Sequence, residues 1–242
     1  MTRAVSSGTV GVKVRAGIKR AVVSMPLAPL ASLEKICWGL RFRKWLRDQG
    51  TEAVPYFPDR LDLYEYVNQA VLKGEAVDFL EFGVSTGESI RAWMRLNTNS
   101  GSHFFGFDTF LGLPEEWKHF GYVSRKGDFS TGGRPPIIEG DSRVAWPIGM
   151  FQDTLPAFLR DFSSRDRLVI HLDPDLYSST LYVLSVLNPV LSPGTTVLFD
   201  DFTCFDNQFR ALGDFSSAFR RRYRILGCGG DYYDKVAIQF ES

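Results

Sequence analysis

Four carboxylates stand where apolar segments stop. The stretch "RLVIHLDPDLYSST" runs an apolar segment into Asp173 and Asp175, and "GTTVLFDDFTCF" runs one into Asp200 and Asp201. Inside a core such groups would have to be desolvated without compensation. Gathered at strand ends they have a chemistry of their own. Left bare they repel one another, whereas one hard divalent cation such as Mg²⁺ neutralises most of the charge and takes oxygen ligands. The sequence has no His/Cys cluster of ligand spacing, which disfavours zinc. The plainer alternative is that the acids cap helices or meet solvent.

The elements that would position these acids follow from apolar periodicity. Strand-length segments are expected at Val77 to Val84, Phe104 to Asp108, Val144 to Ile148, Leu168 to Asp173 and Thr196 to Asp200. They alternate with helix candidates at Glu88 to Leu96, Asp153 to Phe162, Ser178 to Leu191 and Asn207 to Arg222. Ahead of them, "PDRLDLYEYVNQAVLKG" reads as a helix capped by Asp59 and stopped at Gly74. The C-terminal "RYRILGCGGDYYDKVAIQFES" reads as a hairpin. Strict alternation implies a doubly wound α/β sheet, mostly parallel, with the hairpin adding an antiparallel strand at or near one edge. Such sheets bind ligands outside the carboxyl ends of their strands, which is where the four acids fall.

The first strand leads into "DFLEFGVSTGESI", with Glu81 ahead of Gly83, then Ser85, Thr86, Gly87 and Ser89. Glycines at a strand-to-helix turn let backbone approach a ligand and aim helix N–H groups at it. The pattern is ExGxxxG rather than the dinucleotide GxGxxG, and an acid there suits a cationic ligand group better than a pyrophosphate. The second strand ends on Asp108, placed to accept ribose hydroxyls of an adenosine-type cofactor. The third ends in Gly149, Met150 and Phe151, apolar groups suited to flank an adenine ring, with Asp153 expected to cap the helix that follows.

Together "LEFGVSTGES", "FGFDTF", "IGMFQDTLP", "LDPDLYSST" and "SPGTTVLFDDF" resemble the class I S-adenosylmethionine-dependent methyltransferases. More narrowly they resemble the macrocin O-methyltransferase (TylF-type) family, which methylates sugar hydroxyls on natural products. The resemblance runs from Pro58 to the C-terminus. It implies a three-layer Rossmann-like fold with a seven-stranded, mostly parallel sheet and a C-terminal antiparallel hairpin. It also implies S-adenosylmethionine beside the first strands, on Glu81, Gly83, Ser85, Thr86, Gly87, Ser89, Asp108, Gly149, Met150, Phe151 and Asp173. The implied metal ligands are Asp173, Asp200 and Asp201, for Mg²⁺ or another hard divalent cation. The expected activity is methyl transfer to a hydroxyl of a small molecule, a sugar or a natural-product intermediate among them.

The group that removes the hydroxyl proton is open at this level. Catechol-type relatives carry a lysine three residues after the first metal carboxylate, where this chain has Leu176. The candidates are His119, in the long segment after Asp108, and the carboxylates Asp173 and Asp175. His171 shares a strand face with Asp173 and reads as a packed core residue. The segment around His119 mixes Trp117, Phe120, Tyr122 and Phe129 with Gly and Pro, which fits a lid over a substrate. Two other functions are weighed: a nicotinamide-dependent oxidoreductase on a similar sheet, and a cofactor-binding protein that transfers nothing. The acid before Gly83 and the missing Tyr/Lys pair oppose the first; a full carboxylate set opposes the second.

Composition sets the outer bounds. A chain of 242 residues, 44% hydrophobic, can bury one sizeable core. Its 28 Lys plus Arg equal its 28 Asp plus Glu, so no overall field draws it to nucleic acid. No apolar run is long enough for stable membrane insertion. Cys37, Cys204 and Cys228, without CxxC spacing, suit a reducing compartment, and the expectation is a cytoplasmic protein. Residues 1–57 are expected to form an N-terminal arm and helix, serving as a lid or an oligomer contact, and 58–242 the methyltransferase domain. Met1 to Leu33 carries Arg3, Lys13, Arg15, Lys19 and Arg20 and no acid. It reads as a disordered or partner-packing arm, with a transit or membrane-surface segment as the alternative; the arm makes a homo-oligomer the expectation.

Overall fold

The computed structural model describes residues 17, 19–24, 30–118, 122–164 and 167–241. His119 and most of the basic N-terminal segment therefore lie outside the described residues. The chain divides into two compact units, residues 1–40 and 41–242. The first holds the start of helix α1 (Leu30–Asp48), where Leu33, Ile36 and Leu40 are exposed. No helix among the described residues is long and apolar enough to cross a membrane.

The second unit is built on one eight-stranded sheet. Its strands are β1 (Tyr56–Phe57), β2 (Val77–Phe82), β3 (His103–Phe107), β6 (Val144–Ala145), β7 (Arg167–Leu172), β8 (Thr196–Phe199), β9 (Tyr223–Gly229) and β10 (Lys235–Phe240). The spatial order is β1-β9-β10-β8-β7-β2-β3-β6, and β10 alone runs against its neighbours. Two short strands of the long loop, β4 (Trp117–Lys118) and β5 (Val123–Ser124), pair separately. The seven expected strands are all present, and the hairpin lies near one edge. The eighth, β1, is a two-residue addition beside β9.

Strands β2 and β8 are buried along their whole length, and β7 from its second residue. That is why they read as apolar runs rather than as alternating patterns. Helices α2 (Arg60–Tyr66), α3 (Glu88–Leu96), α4 (Phe151–Asp161), α5 (Tyr177–Leu187) and α6 (Gln208–Phe219) cover them. α2 packs on α3, and α5 on both α4 and α6, giving a layer on each side. Trp93 of α3 is fully buried against Phe79 and Tyr64; its truncation to alanine would cost about 3–5 kcal/mol.

Three local expectations need correction. The helix after Asp59 is capped as expected, its carboxylate accepting from Leu61 N at 2.7 Å. It is α-helical only to Tyr66, however, and continues as a π turn over Val67–Val71. The third expected strand shrinks to Val144–Ala145, because Pro147 lacks a ladder donor; beyond it one bridge joins Asp108 and Ile148. Asp153 is not the cap of its helix: Met150 occupies that position, and Asp153 sits in the first turn.

Register places the functional ends side by side. Phe82 pairs with both Phe107 and Leu172, and Leu172 with Phe199. The next residues extend the ladders by one bond each: Gly83 N to Phe107 O, Asp173 N to Phe82 O and Asp200 N to Leu172 O, at 2.9–3.1 Å. Gly83, Asp108, Asp173 and Asp200 thus form one row across the sheet's carboxyl edge.

Candidate active site

A cavity of about 450 Å³ opens along that row. Gly83, Ser85, Thr86 and Ser89 line one wall, with Asp108, Gly149, Met150 and Phe151 beside them; Asp173, Asp175 and Asp201 line the other. The turn after β2 must contain a glycine. A Cβ at Gly83 would sit 2.0 Å from the carbonyl oxygen of Asp173, and its φ of +85° is unfavourable for L side chains. Gly87, at φ +78°, precedes α3 outside the lining, where a Cβ would meet the Pro136 ring at 2.6 Å.

Asp108 braces this turn. Its Oδ2 accepts from Val84 N and Ser85 N at 2.8 and 2.9 Å, and its Oδ1 from Phe110 N at 2.7 Å. The residue lines the cavity, yet three backbone donors already hold its carboxylate, so its first task is shaping two loops. Glu81 does not line the cavity at all. It is buried inside β2, where Oε1 meets His171 Nδ1 at 3.1 Å and Oε2 has no partner among the described residues. Burial raises the Glu81 carboxyl above its ordinary range, with the His171 bond acting against that rise.

His171 is a core residue, as its strand face implied, but not an inert one. Its Nε2 lies 2.9 Å from the Tyr64 hydroxyl and 3.8 Å from Asp200 Oδ1. Burial opposes its charge, yet the nearby carboxylates of Asp200 and Glu81 outweigh it and push its pKa up to about 9. A buried imidazole between two carboxylates therefore ties β2, β7 and β8 together behind the cavity.

Asp200 and Asp201 part company here. Asp200 points to His171, to Tyr64 and to Lys235, whose Nζ lies 3.2 Å from Oδ2. Burial alone would raise its pKa; His171 and Lys235 beside it outweigh that and hold it well below the ordinary carboxylate range. The oxygens that converge within 4.8 Å of one another belong to Asp173, Asp175 and Asp201. Asp175 thus stands where the sequence pattern put Asp200.

The trio's proton affinities report crowding. Burial, then Asp200 and Asp201, raises Asp173 well above its ordinary value. Burial and Asp201 push Asp175 up to about 9. Asp201 rises to about 6, with Lys235 opposing its burial. Carboxylates held this close with unfavourable ionisation, and with no imidazole or thiolate among them, fit a hard oxygen-seeking cation. The acid-rich cavity beside a glycine turn likewise fits a donor that carries positive charge.

Thr109, Gly112, Leu113, Pro114, Trp117 and Phe129, from the segment after Asp108, also line this space. Leu113 and Trp117 are buried with Leu176, and Cys204 packs beside them. Ser178 Oγ donates to Glu115 Oε1 at 2.6 Å, and the Trp117 and Phe129 rings lie 6.4 Å apart. Lys118, Arg125, Lys126 and Arg134 all face solvent. Sequence reasoning passed over Arg60, which also lines the cavity. A cation in the first turn of a helix, where the macrodipole disfavours it, was the available signal.

An open parallel sheet with a reversed C-terminal strand, a glycine turn after β2 and acids beyond β3, β7 and β8 has the architecture of a class I methyltransferase. Residues 80–202 match the family described as Methyltransferase domain. A curated relative from Streptomyces olivaceus, the 8-demethyl-8-(2,3-dimethoxy-alpha-L-rhamnosyl)-tetracenomycin-C 4'-O-methyltransferase, is 33% identical over 184 residues, 69% of this chain and 67% of the relative. Among solved structures, the O-methyltransferase NovP aligns over 76% of this chain and 80% of its own, with TM-score 0.56 and 23% identity. The calicheamicin methyltransferase CalS11 aligns over 98% and 94%, with TM-score 0.57 and 18% identity. The chain belongs to the methyltransferase domain family and is an S-adenosylmethionine-dependent O-methyltransferase.

Proposed function

We propose that the enzyme methylates a sugar hydroxyl on a small natural-product intermediate, with a hard divalent cation, Mg²⁺ first, held by the carboxylate trio. One observation carries the metal-assisted reading: Asp173, Asp175 and Asp201 converge in the wall of the cavity that also contains the Gly83 turn. The named activity of the Streptomyces olivaceus relative, on a rhamnosyl hydroxyl, supports the sugar, as does the likeness to macrocin O-methyltransferases.

When bound, S-adenosylmethionine supplies a methyl group on a sulfonium, and Mg²⁺ supplies a charge that acidifies an acceptor hydroxyl. The remaining work belongs to side chains of the chain. Asp173 and Asp201, which the resemblance implies as ligands, and Asp175, whose oxygen lies within 4.8 Å of theirs, are the assigned set. Asp175, which lines the cavity between the metal wall and the acceptor side, is the assigned acceptor of the hydroxyl proton. The row Gly83, Ser85, Thr86 and Ser89 forms the donor wall, with Asp108 holding Val84 and Ser85 in place and Gly149, Met150 and Phe151 closing the side. Glu81 and Gly87 support this wall from outside the cavity. Trp117 and Phe129 exclude water from the acceptor. Residues 1–57 are assigned to contacts within a homo-oligomer, and 58–242 to catalysis.

The test is transfer from labelled donor to a panel of glycosylated and aglycone acceptors, with and without chelator. Glycosylated acceptors are expected to take label only when Mg²⁺ is present, and Asp201→Ala to lose transfer. Full transfer in chelator, or by that variant, would end the metal-assisted reading.

A further inference from the structure

We propose that Lys235 is a positioning residue for the cation site: it grips Asp200 by main chain and side chain, so that Asp201 alone of the pair is presented to Asp173 and Asp175. The inference rests on the metal-assisted reading above and concerns a residue outside the cavity lining that no sequence motif marked.

Strand β10 runs antiparallel to β8 with Val236 opposite Phe199, which brings Lys235 level with Asp200. Lys235 Nζ donates to the Asp200 carbonyl oxygen and lies 3.2 Å from Asp200 Oδ2 and 2.8 Å from Asp234 Oδ2. Its side chain is only 15% exposed, and lysine is buried this far where its charge is paired. Asp234 holds the same segment from its other end. Its carbonyl accepts from Phe202 N and its Oδ1 from the Thr203 hydroxyl, both at 2.8 Å. Between these grips Asp201 N donates to Gln208 Oε1 at 3.1 Å. Residues 200 to 203 are thus fixed one after another, and the Asp201 carboxylate is the group that faces the cavity.

The turn that delivers Lys235 is strained. Tyr232 and Tyr233 both take left-handed φ, +53° and +65°, which bulky side chains avoid. Such conformations persist where surrounding contacts over-determine them, and Asp234 and Lys235, next in the chain, supply those contacts. Charge alone would give Lys235 the opposite effect on the site. Its cation is felt at Asp201, and it would repel a second cation placed there. Positioning and charge therefore predict opposite signs when the ammonium is removed.

Electron paramagnetic resonance of the full chain titrated with Mn²⁺ alone, a hard cation that carboxylates accept, reads the site through loss of the free-ion signal. Binding of S-adenosylhomocysteine in chelator is the control. Lys235→Met, uncharged and of similar length, should weaken Mn²⁺ binding by about 10- to 100-fold, the effect of losing a group that orients a ligand. It should leave S-adenosylhomocysteine binding within about twofold. Lys235→Arg, which restores a charged donor, should recover most of the loss. Asp234→Asn, a milder change that loosens Lys235 and Thr203 together, should weaken Mn²⁺ binding in the same direction and by less. Unchanged or tighter Mn²⁺ binding in Lys235→Met would overturn the assignment and leave Lys235 as a neighbouring charge. Equal loss of Mn²⁺ and S-adenosylhomocysteine would overturn it as well, being the mark of a residue that merely holds the fold. Should Lys235→Met not fold, Asp234→Asn carries the same two readings. Wild-type protein that binds no Mn²⁺ would sink the metal-assisted reading and this assignment with it, whereas a binding wild type beside an indifferent Lys235→Met sinks this assignment alone.

Discussion

Asp200 and Asp201, consecutive residues beyond β8, hold their carboxylates in opposite employment. Asp200 faces Lys235 at 3.2 Å and His171 at 3.8 Å, while Asp201 joins Asp173 and Asp175 across the cavity. Successive side chains leaving a strand point to opposite sides, so the pair divides structure from chemistry. Asp200→Ala removes the buried anion that His171 and Lys235 share, leaving them Glu81 and Asp234, and should cost about 3 kcal/mol in chelator. Asp201→Ala removes repulsion and should be neutral or mildly stabilising there, while losing the stabilisation that added Mg²⁺ brings. Denaturant melts of both variants, with and without Mg²⁺, read the two effects. An Asp200→Ala protein as stable as wild type would contradict the division.

The same trio makes the metal response depend on pH. Asp201 and Asp175 have folded-state values raised to about 6 and about 9, above the unfolded value of about 3.9. A raised carboxyl contributes stability that is present below its unfolded pKa and lost as pH climbs through its folded one. His171, raised to about 9, has the same sign, and Asp200, held low, adds no slope above neutral acidity. Without metal, melting temperature should therefore decline from pH 5 to pH 9. Mg²⁺ favours the ionised trio, so the gap between magnesium and chelator samples should widen toward pH 9. A gap independent of pH would remove these carboxylates from the site.

How much of this was legible before the structure depends on sequence distance. The buried parallel strands read as apolar runs because both faces are covered, and Glu88 to Leu96 is helical over the very residues its periodicity marked. Strand-end acids were visible for the same reason. What could not be read is what crosses the sheet. Lys235 reaches Asp200 only because β10 inserts between β9 and β8, and Tyr64 reaches His171 from a helix 107 residues earlier. The Glu81–His171 contact required knowing that β2 and β7 are neighbours in register. Two-residue strands such as β1 carry no period to find. The division of labour between Asp175 and Asp200 is a matter of rotamer and loop shape, which residue spacing does not encode.

The glycines give a paired stability test. Gly83→Ala would force a Cβ to within 2.0 Å of the Asp173 carbonyl oxygen, at φ +85°. The cost should be roughly 3 kcal/mol or more, with metal-dependent stabilisation disturbed because Asp173 must move. Gly213, inside α6, meets nothing within 4 Å, and Gly213→Ala should stabilise by about 0.5–1 kcal/mol through helix propensity. Urea melts of the two variants would show opposite signs; a tolerated Gly83→Ala would mean that the turn does not need its close approach.

The long loop can be tested through Cys204 without knowing the acceptor. Cys204 packs beside Leu113, Trp117 and Leu176, and burial, then Asp201, pushes its thiol up to about 12. Thiolate is the reactive form, so in the closed loop Cys204 should label slowly, while exposed Cys37 labels at an ordinary rate. Trp117→Ala removes the buried ring that seats the loop and should admit water to Cys204. Its labelling should then accelerate by about tenfold or more, with Cys37 unchanged as the internal standard. Mass spectrometry of labelled peptides resolves the two cysteines. Equal Cys204 rates in wild type and variant would show that Trp117 does not hold the loop over the cavity.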